Sequence, residues 1–156
     1  MKKPVTFTLN GAEKAAFTDD GQNLLDFLRR TVGDLTPKYG CGQGSCGACT
    51  VTIDGATQLA CLVLAETVTG RHVETAAGLA GAGLHPLQEA FMDHFAAQCG
   101  YCTPGMLVSA KALLDRTPNP TRDEVVEAIS GNLCRCTGYE PIIDAILSVA
   151  GRRASA

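Results

Sequence analysis

The chain has 156 residues, with 16 acidic against 13 basic side chains and a net charge of −3. Neither half is a basic arm or an acidic tail, so the charge pattern argues against nucleic acid as a partner. No run of residues approaches the roughly 18 apolar positions of a membrane-spanning helix, and no signal-peptide hydrophobic stretch follows the first residues. We therefore expect a cytoplasmic protein without direct membrane insertion.

The chain begins with the pattern of a β-hairpin. Asn10-Gly11 is the dipeptide favoured in a two-residue hairpin turn, and it follows three apolar residues that alternate with polar ones. These apolar residues are Val5, Phe7 and Leu9. A short amphipathic helix is predicted over residues 23–30, where leucine and phenylalanine recur between polar residues. A second hairpin is predicted over residues 49–61, around the turn Asp54-Gly55.

A stretch of small residues, 76–83, separates this region from one with helical periodicity. Alanine and glycine dominate the stretch, which lacks strand or strong helix periodicity, so we interpret it as a linker. The predicted domains are residues 1–77, built mainly from strands, and residues 84–156, built from three or four helices. An α+β fold follows from this arrangement.

Helix boundaries are marked in the second region. Thr103-Pro104 is predicted to be an N-cap followed by proline at the first helical position, and Thr121 with Glu124 has the pattern of a capping box. The last helix is predicted to run from about Tyr139 to Ala150. One apolar helix face is expected to comprise Leu87, Phe91, His94 and Phe95.

Eight cysteines fall into two groups of four, which favours metal binding over disulfides in a reducing compartment. The first group has the spacing C-x4-C-x2-C followed by a distant fourth cysteine, which is the plant-type ligation pattern of a [2Fe–2S] cluster. Glycines within residues 40–49 let this loop approach a cluster closely and turn backbone amides toward it. The group comprises Cys41, Cys46, Cys49 and Cys61.

The second group consists of two close pairs, each just before a predicted helix. Exposed amides and the positive end of the helix dipole favour thiolates and an anionic cluster at such positions. Two close pairs separated by a long insertion are also typical of a tetrahedral zinc site, so the spacing of the second group is also consistent with zinc. At the first group, zinc is the weaker alternative. The second group comprises Cys99, Cys102, Cys134 and Cys136.

Three long motifs, residues 38–50, 98–106 and 131–139, resemble the small iron–sulfur subunit of the molybdenum hydroxylases, the xanthine oxidase and aldehyde oxidase family. The resemblance covers nearly the whole chain, and all eight ligand positions are filled. It implies an N-terminal β-grasp domain like plant-type ferredoxin and a C-terminal four-helix bundle. It also implies a [2Fe–2S] cluster in each domain rather than zinc.

The resemblance implies an electron-transfer subunit, the non-catalytic iron–sulfur subunit of an oxidoreductase. Electrons are expected to pass from molybdopterin on a large subunit through the two clusters to FAD on a medium subunit, or to a cytochrome in its place. The expected assembly is a dimer of heterotrimers. Gln98 resembles the residue whose amide hydrogen-bonds the pterin, and a helix-end cap is its alternative role.

Two other functions stay open from the residues alone. The chain is consistent with an independent two-cluster ferredoxin, although charged residues make up only 19% of it and transient redox partners use complementary charge for rapid encounter. A structural zinc-binding module is the other alternative, and it would have neither colour nor acid-labile sulfide. The organic substrate is not predicted, because the site that selects it is expected on another chain.

Overall fold

The computed structural model describes residues 2–151 and contains a five-stranded sheet followed by a helical region. The strands lie in the order β2-β1-β5-β3-β4; β1 and β5 are parallel, and the other neighbours are antiparallel. Residue 1 and residues 152–156 lie outside the described residues. They are the outer ends of the two predicted domains. The strands are β1 (Lys2–Leu9), β2 (Ala12–Asp19), β3 (Thr50–Ile53), β4 (Ala56–Leu59) and β5 (His72–Glu74).

In the described part of the chain, five α-helices accompany the sheet, the first of them short. Helix α1 continues directly into a π-helical segment over Phe27–Val32, and a 3-10 turn covers Ala60–Leu62. Within residues 2–151, no helix is long and apolar enough to cross a bilayer. The helices are α1 (Leu24–Asp26), α2 (Pro86–Asp93), α3 (Thr103–Arg116), α4 (Arg122–Ile129) and α5 (Glu140–Ser148).

Both predicted hairpins are confirmed, and they enclose the first hydrophobic core. Asn10 and Gly11 have φ of 51° and 80°, as a two-residue turn of type I′ requires. The alternating residues of β1 are buried against the α1 region, and the rings of Phe7 and Phe27 lie 5.8 Å apart in a tilted arrangement. The sheet thus forms one layer, and α1 with the π-helical segment forms a second layer packed against it.

A second core lies between α2, α3, α4 and α5. The predicted capping box is confirmed at the start of α4, where the Thr121 side chain accepts from the Glu124 N–H and Glu124 accepts from the Thr121 N–H. Helix α3 also packs against β3, which brings the helical region against the sheet. The mixed α+β fold is therefore confirmed.

The predicted helix face is wrong at Phe95. Helix α2 ends at Asp93, and Phe95 has φ of 54° and is 81% exposed. The Ala96 N–H donates to the Phe91 carbonyl and the Phe95 N–H donates to the Met92 carbonyl, a helix-ending arrangement that usually has glycine at the left-handed position. Because phenylalanine occupies that position here, the sequence carries no stop signal.

Two helix boundaries also differ from prediction. Cys102, rather than Thr103, is the N-cap of α3, and Thr103 is already the first helical residue. The Cys102 side chain makes no capping hydrogen bond, so the usual N-cap signal is absent. The last helix spans Glu140–Ser148, a little shorter than expected, which is within the ordinary uncertainty of helix ends.

Candidate metal centres

The first cysteine loop turns backbone amides toward a thiol. The Cys41 Sγ accepts from the N–H groups of Gln43 at 3.4 Å and of Ser45 at 3.3 Å. This path requires positive φ at Gly42 and Gly44, 68° and 81°, which glycine adopts at little cost. Hydrogen bonds from the Ser45 side chain and from these two amides lower the pKa of Cys41 to about 6. The loop is thus built to stabilise a thiolate.

The β3–β4 hairpin brings the other members of the first group into contact. Cys61 lies in the 3-10 turn after β4, where its thiol neighbours that of Cys49, and the Ala60 N–H donates to the Cys49 carbonyl at 3.2 Å. The thiols of Cys41 and Cys46 are also neighbours. Burial raises the pKa of Cys49 to about 12. All four thiols therefore form one group at the end of the sheet.

The second group also forms two contacting pairs. The Sγ atoms of Cys136 and Cys99 are 3.6 Å apart, and both residues are exposed. Burial and, next, the neighbouring Cys134 thiol raise the pKa of Cys102 to about 12. The Thr137 hydroxyl lies 3.1 Å from the Cys134 Sγ. The four thiols of this group lie between the starts of α3 and α5.

Each group of four thiols is arranged as two pairs. A [2Fe–2S] cluster has two irons, so its four thiolates approach in pairs rather than at one point, and this arrangement fits such a cluster. A side chain at Gly40 would also meet the Cys46 Sγ at 2.6 Å, so the loop leaves room for the sulfur and for little else.

Gln98 lies on the surface next to Cys99, before α3. It does not cap that helix, whose N-cap is Cys102 without a side-chain hydrogen bond, nor α2, whose C-cap is His94. The amide group is therefore exposed beside the more accessible pair of the second thiol group. The alternative role of helix-end cap has no support in this geometry.

The sequence did not indicate how closely the two cysteine loops approach each other. The Leu133 N–H donates to the Cys46 carbonyl at 2.9 Å, and the Tyr101 hydroxyl donates to the Tyr39 carbonyl at 2.7 Å. Buried Asn132 also reaches from the second loop to the first. These residues lie inside the recognised motifs, but their contacts join segments far apart in the chain, so spacing carried no signal for them.

Two family models match the chain and together span most of it. A 2Fe-2S iron-sulfur cluster binding domain matches residues 7–79, and a [2Fe-2S] binding domain matches residues 75–147. The first range includes one complete cysteine group and the second range includes the other. The chain is therefore an iron–sulfur protein with two [2Fe–2S]-binding domains, the first ferredoxin-like and the second helical.

Proteins of known function match over nearly the full length. The nicotine 6-hydroxylase small subunit of Paenarthrobacter nicotinovorans is 47% identical, covering 92% of this chain and 87% of that subunit. The nicotinate dehydrogenase small FeS subunit of Eubacterium barkeri is 44% identical, covering 93% of each chain. A chain of quinoline 2-oxidoreductase from Pseudomonas putida 86 superposes with a TM-score of 0.93 at 48% identity, covering 96% of this chain and 93% of that one.

The chain belongs to the small iron–sulfur subunits of the molybdenum hydroxylases, in the xanthine oxidase family. It is a non-catalytic, iron–sulfur subunit of an oxidoreductase. A matching region, 44% identical, also occurs in the aldehyde oxidoreductase of Megalodesulfovibrio gigas, where it makes up 16% of a much longer polypeptide.

Proposed function

We propose that this chain carries electrons from the molybdopterin centre of a large subunit, through two [2Fe–2S] clusters, to FAD on a medium subunit or to another acceptor. We assign residues 1–77 to the domain that holds one cluster and residues 84–156 to the domain that holds the other, in which α2 to α5 form a four-helix bundle. When bound, each cluster supplies one-electron chemistry. The chain's own residues hold the clusters, keep them close together and present one of them to the partner.

The ligand pairs that we propose are those of neighbouring thiols. Two pairs lie in the N-terminal domain and two in the helical domain, and we assign the members of each pair to the same iron. The rigid backbone, its glycine turns and the amides that point toward the thiols hold each pair in place. Solvent-exposed side chains are not needed for this. The pairs are Cys41 with Cys46, Cys49 with Cys61, Cys99 with Cys136, and Cys102 with Cys134.

The contact between the two cysteine loops carries the proposal. A residue of the first group, Cys46, is hydrogen-bonded through its carbonyl to Leu133, which directly precedes Cys134 of the second group. Electrons that pass between the two groups through this hydrogen bond have few through-space gaps to cross. Two unconnected structural zinc sites would have no need of a shared hydrogen bond between their ligand loops, so this contact favours a relay over a zinc module.

Exposure suggests which end of the relay faces the molybdenum subunit. Cys99 and Cys136 are exposed, whereas Cys49 of the first group is buried in the sheet core. Exposed Gln98 lies beside this accessible pair, where its amide can donate to and accept from a pterin edge. As the family resemblance implies, we place the helical-domain cluster toward the molybdopterin and the N-terminal cluster toward the acceptor, FAD or a cytochrome.

The assembly we propose is a dimer of heterotrimers in the cytoplasm. Matching regions occur both as separate small subunits and inside one long aldehyde oxidoreductase chain, which supports association with larger partners. Eight cysteines grouped for metal binding rather than disulfides suit a reducing compartment.

Isolation of the native complex distinguishes this function from that of an independent ferredoxin. The full chain would be tagged at one terminus and purified without denaturation, and the co-purifying chains, molybdenum and flavin would be quantified. The proposal predicts two larger chains in fixed stoichiometry, with molybdenum on one of them. Recovery of the iron-loaded chain alone, from cells that also express those partners, would favour the ferredoxin.

A further inference from the structure

Asn132 is a buried polar residue in the loop that precedes the second cysteine pair. It is 4% exposed and lies two positions before Cys134. A buried amide is costly unless its donors and acceptor are satisfied, and the side chain of Asn132 makes three hydrogen bonds. Such a residue fixes the relative position of the groups that it joins.

The three hydrogen bonds link both domains. The Asn132 Oδ1 accepts from the hydroxyl of Ser109 on α3 at 2.8 Å. The Nδ2 donates to the Gly47 carbonyl at 3.0 Å and lies 3.3 Å from the Thr50 Oγ1. Gly47 lies between Cys46 and Cys49 within the first cysteine loop. The amide therefore connects the second loop, the helical core and the first loop.

The two cysteine loops and the start of α3 pack so closely that neither Gly47 nor Gly105 has room for a side chain. A Cβ on Gly47 would lie 2.7 Å from the Asn132 Nδ2 and 2.8 Å from the Asn132 Cα, closer than real side chains approach. A Cβ on Gly105, at the start of α3, would overlap the Gly47 carbonyl. These glycines are independent evidence that the contact between the loops is tight.

The tight contact aligns a path between the thiol groups. The path runs along covalent bonds from the Cys46 Sγ to the Cys46 carbonyl, crosses one hydrogen bond to the Leu133 N–H, and continues along covalent bonds to the Cys134 Sγ. Asn132 is the residue next to Leu133, so its three hydrogen bonds hold the Leu133 N–H in line with the Cys46 carbonyl.

We propose that Asn132 is a positioning residue that sets the electronic contact between the two clusters by holding their loops together. This inference rests on the proposed function, because it requires both clusters to be present. The side chain of Asn132 makes its hydrogen bonds to Ser109, Gly47 and Thr50, and it acts through the backbone of Gly47 and Leu133.

The test uses the native complex reduced with dithionite and studied by low-temperature electron paramagnetic resonance. Two nearby reduced clusters are each paramagnetic, and their magnetic interaction splits the signals. The main variant is Asn132→Leu, which keeps the approximate volume and removes all three hydrogen bonds. Ser109→Ala is a milder variant, since it removes only the partner that orients the amide.

Thr75→Val provides the matched control. Thr75 is 1% exposed and also makes buried hydrogen bonds between distant segments, to Asp34 and Asn10, but these lie within the N-terminal domain. Its replacement by valine has nearly the same shape and removes the hydroxyl. The control therefore reports the effect of lost buried hydrogen bonds without a change at the contact between the loops.

We expect Asn132→Leu to lose the splitting while keeping the iron content and the individual signals of both clusters, and Ser109→Ala to reduce it. Thr75→Val should keep the wild-type splitting. Unchanged splitting in Asn132→Leu would overturn the inference; if that variant does not retain its iron, unchanged splitting in Ser109→Ala overturns it instead. Absence of two [2Fe–2S] signals in the wild type would refute the proposed function itself.

Discussion

The Leu133 N–H and the Cys46 carbonyl are joined by a 2.9 Å hydrogen bond between two loops that lie 87 residues apart in the chain, from 46 to 133. Cys46 is a ligand candidate, and Leu133 directly precedes the ligand candidate Cys134. The contact therefore makes the two cysteine groups one structural unit. The domains are therefore joined at their cysteine loops, in addition to the segment that connects them along the chain.

Gly105→Ala tests the packing of α3 on the first loop. Alanine normally stabilises a helix relative to glycine by about 1 kcal/mol, but its Cβ would overlap the Gly47 carbonyl here. We expect a net destabilisation of about 1–3 kcal/mol from overpacking, seen as a lower melting temperature of the iron-loaded chain.

Gly131→Ala is the control for that experiment. Gly131 also lies at the contact between the loops, but a Cβ on it would meet no atom within 4 Å. Its effect should stay within about 0.5 kcal/mol. Equal stability of the two variants would contradict the close approach of α3 to the Gly47 carbonyl.

Cys49→Ser and Cys102→Ser should remove the two clusters separately. Cys49 is a ligand candidate in the sheet core, and Cys102 is the N-cap of α3 in the helical domain. A serine hydroxyl is a much weaker iron ligand than a thiolate, so each variant should lose about half of the iron and one of the two paramagnetic signals. Each variant serves as the other's control. Full iron content with both signals in either variant would refute that ligand assignment.

Gln98→Leu should slow electron entry without changing the clusters. The side chain is exposed beside Cys99, and leucine removes the amide that we propose to contact the pterin. Stopped-flow reduction of the complex by its substrate should be slower, with unchanged iron content. The control is Gln58→Leu, at an exposed glutamine on β4. Equal rates in the two variants would leave the pterin contact without support.

Thr121→Ala should destabilise the helical domain modestly. The capping box at the start of α4 satisfies two backbone N–H groups, and its loss typically costs about 1 kcal/mol. Ser130→Ala, at the other end of α4, removes a hydroxyl that caps no N–H group and should cost less. Thermal unfolding measures both, and iron content should be the same in each. A Thr121→Ala melting temperature equal to that of the wild type would argue against the capping box.

Local features were predictable from the sequence because their causes are local. Asn10-Gly11 and Asp54-Gly55 specify hairpin turns through their own backbone preferences, and both hairpins formed as predicted. The Thr121 capping box is equally local. The cysteine groups were recognisable because the candidate ligands of each loop lie close together in sequence.

Other features depend on tertiary contacts that no short pattern encodes. The helix end before Phe95 was missed because buried Ala96 takes a place in the core and forces its neighbour into a conformation typical of glycine. The role of Asn132 was missed because its partners Gly47 and Thr50 lie more than 80 positions away. Whether a polar loop residue is buried depends on the opposing loop. The sequence around that residue therefore does not indicate its burial.

We expect this chain to hold two [2Fe–2S] clusters in a molybdenum hydroxylase. The most direct measurement is low-temperature electron paramagnetic resonance of the native complex after dithionite reduction, together with iron, zinc and molybdenum analysis of the same sample. We expect two distinct reduced [2Fe–2S] signals, about four irons per chain, and molybdenum in the complex. Zinc bound to the chain with no paramagnetic signal would contradict this function.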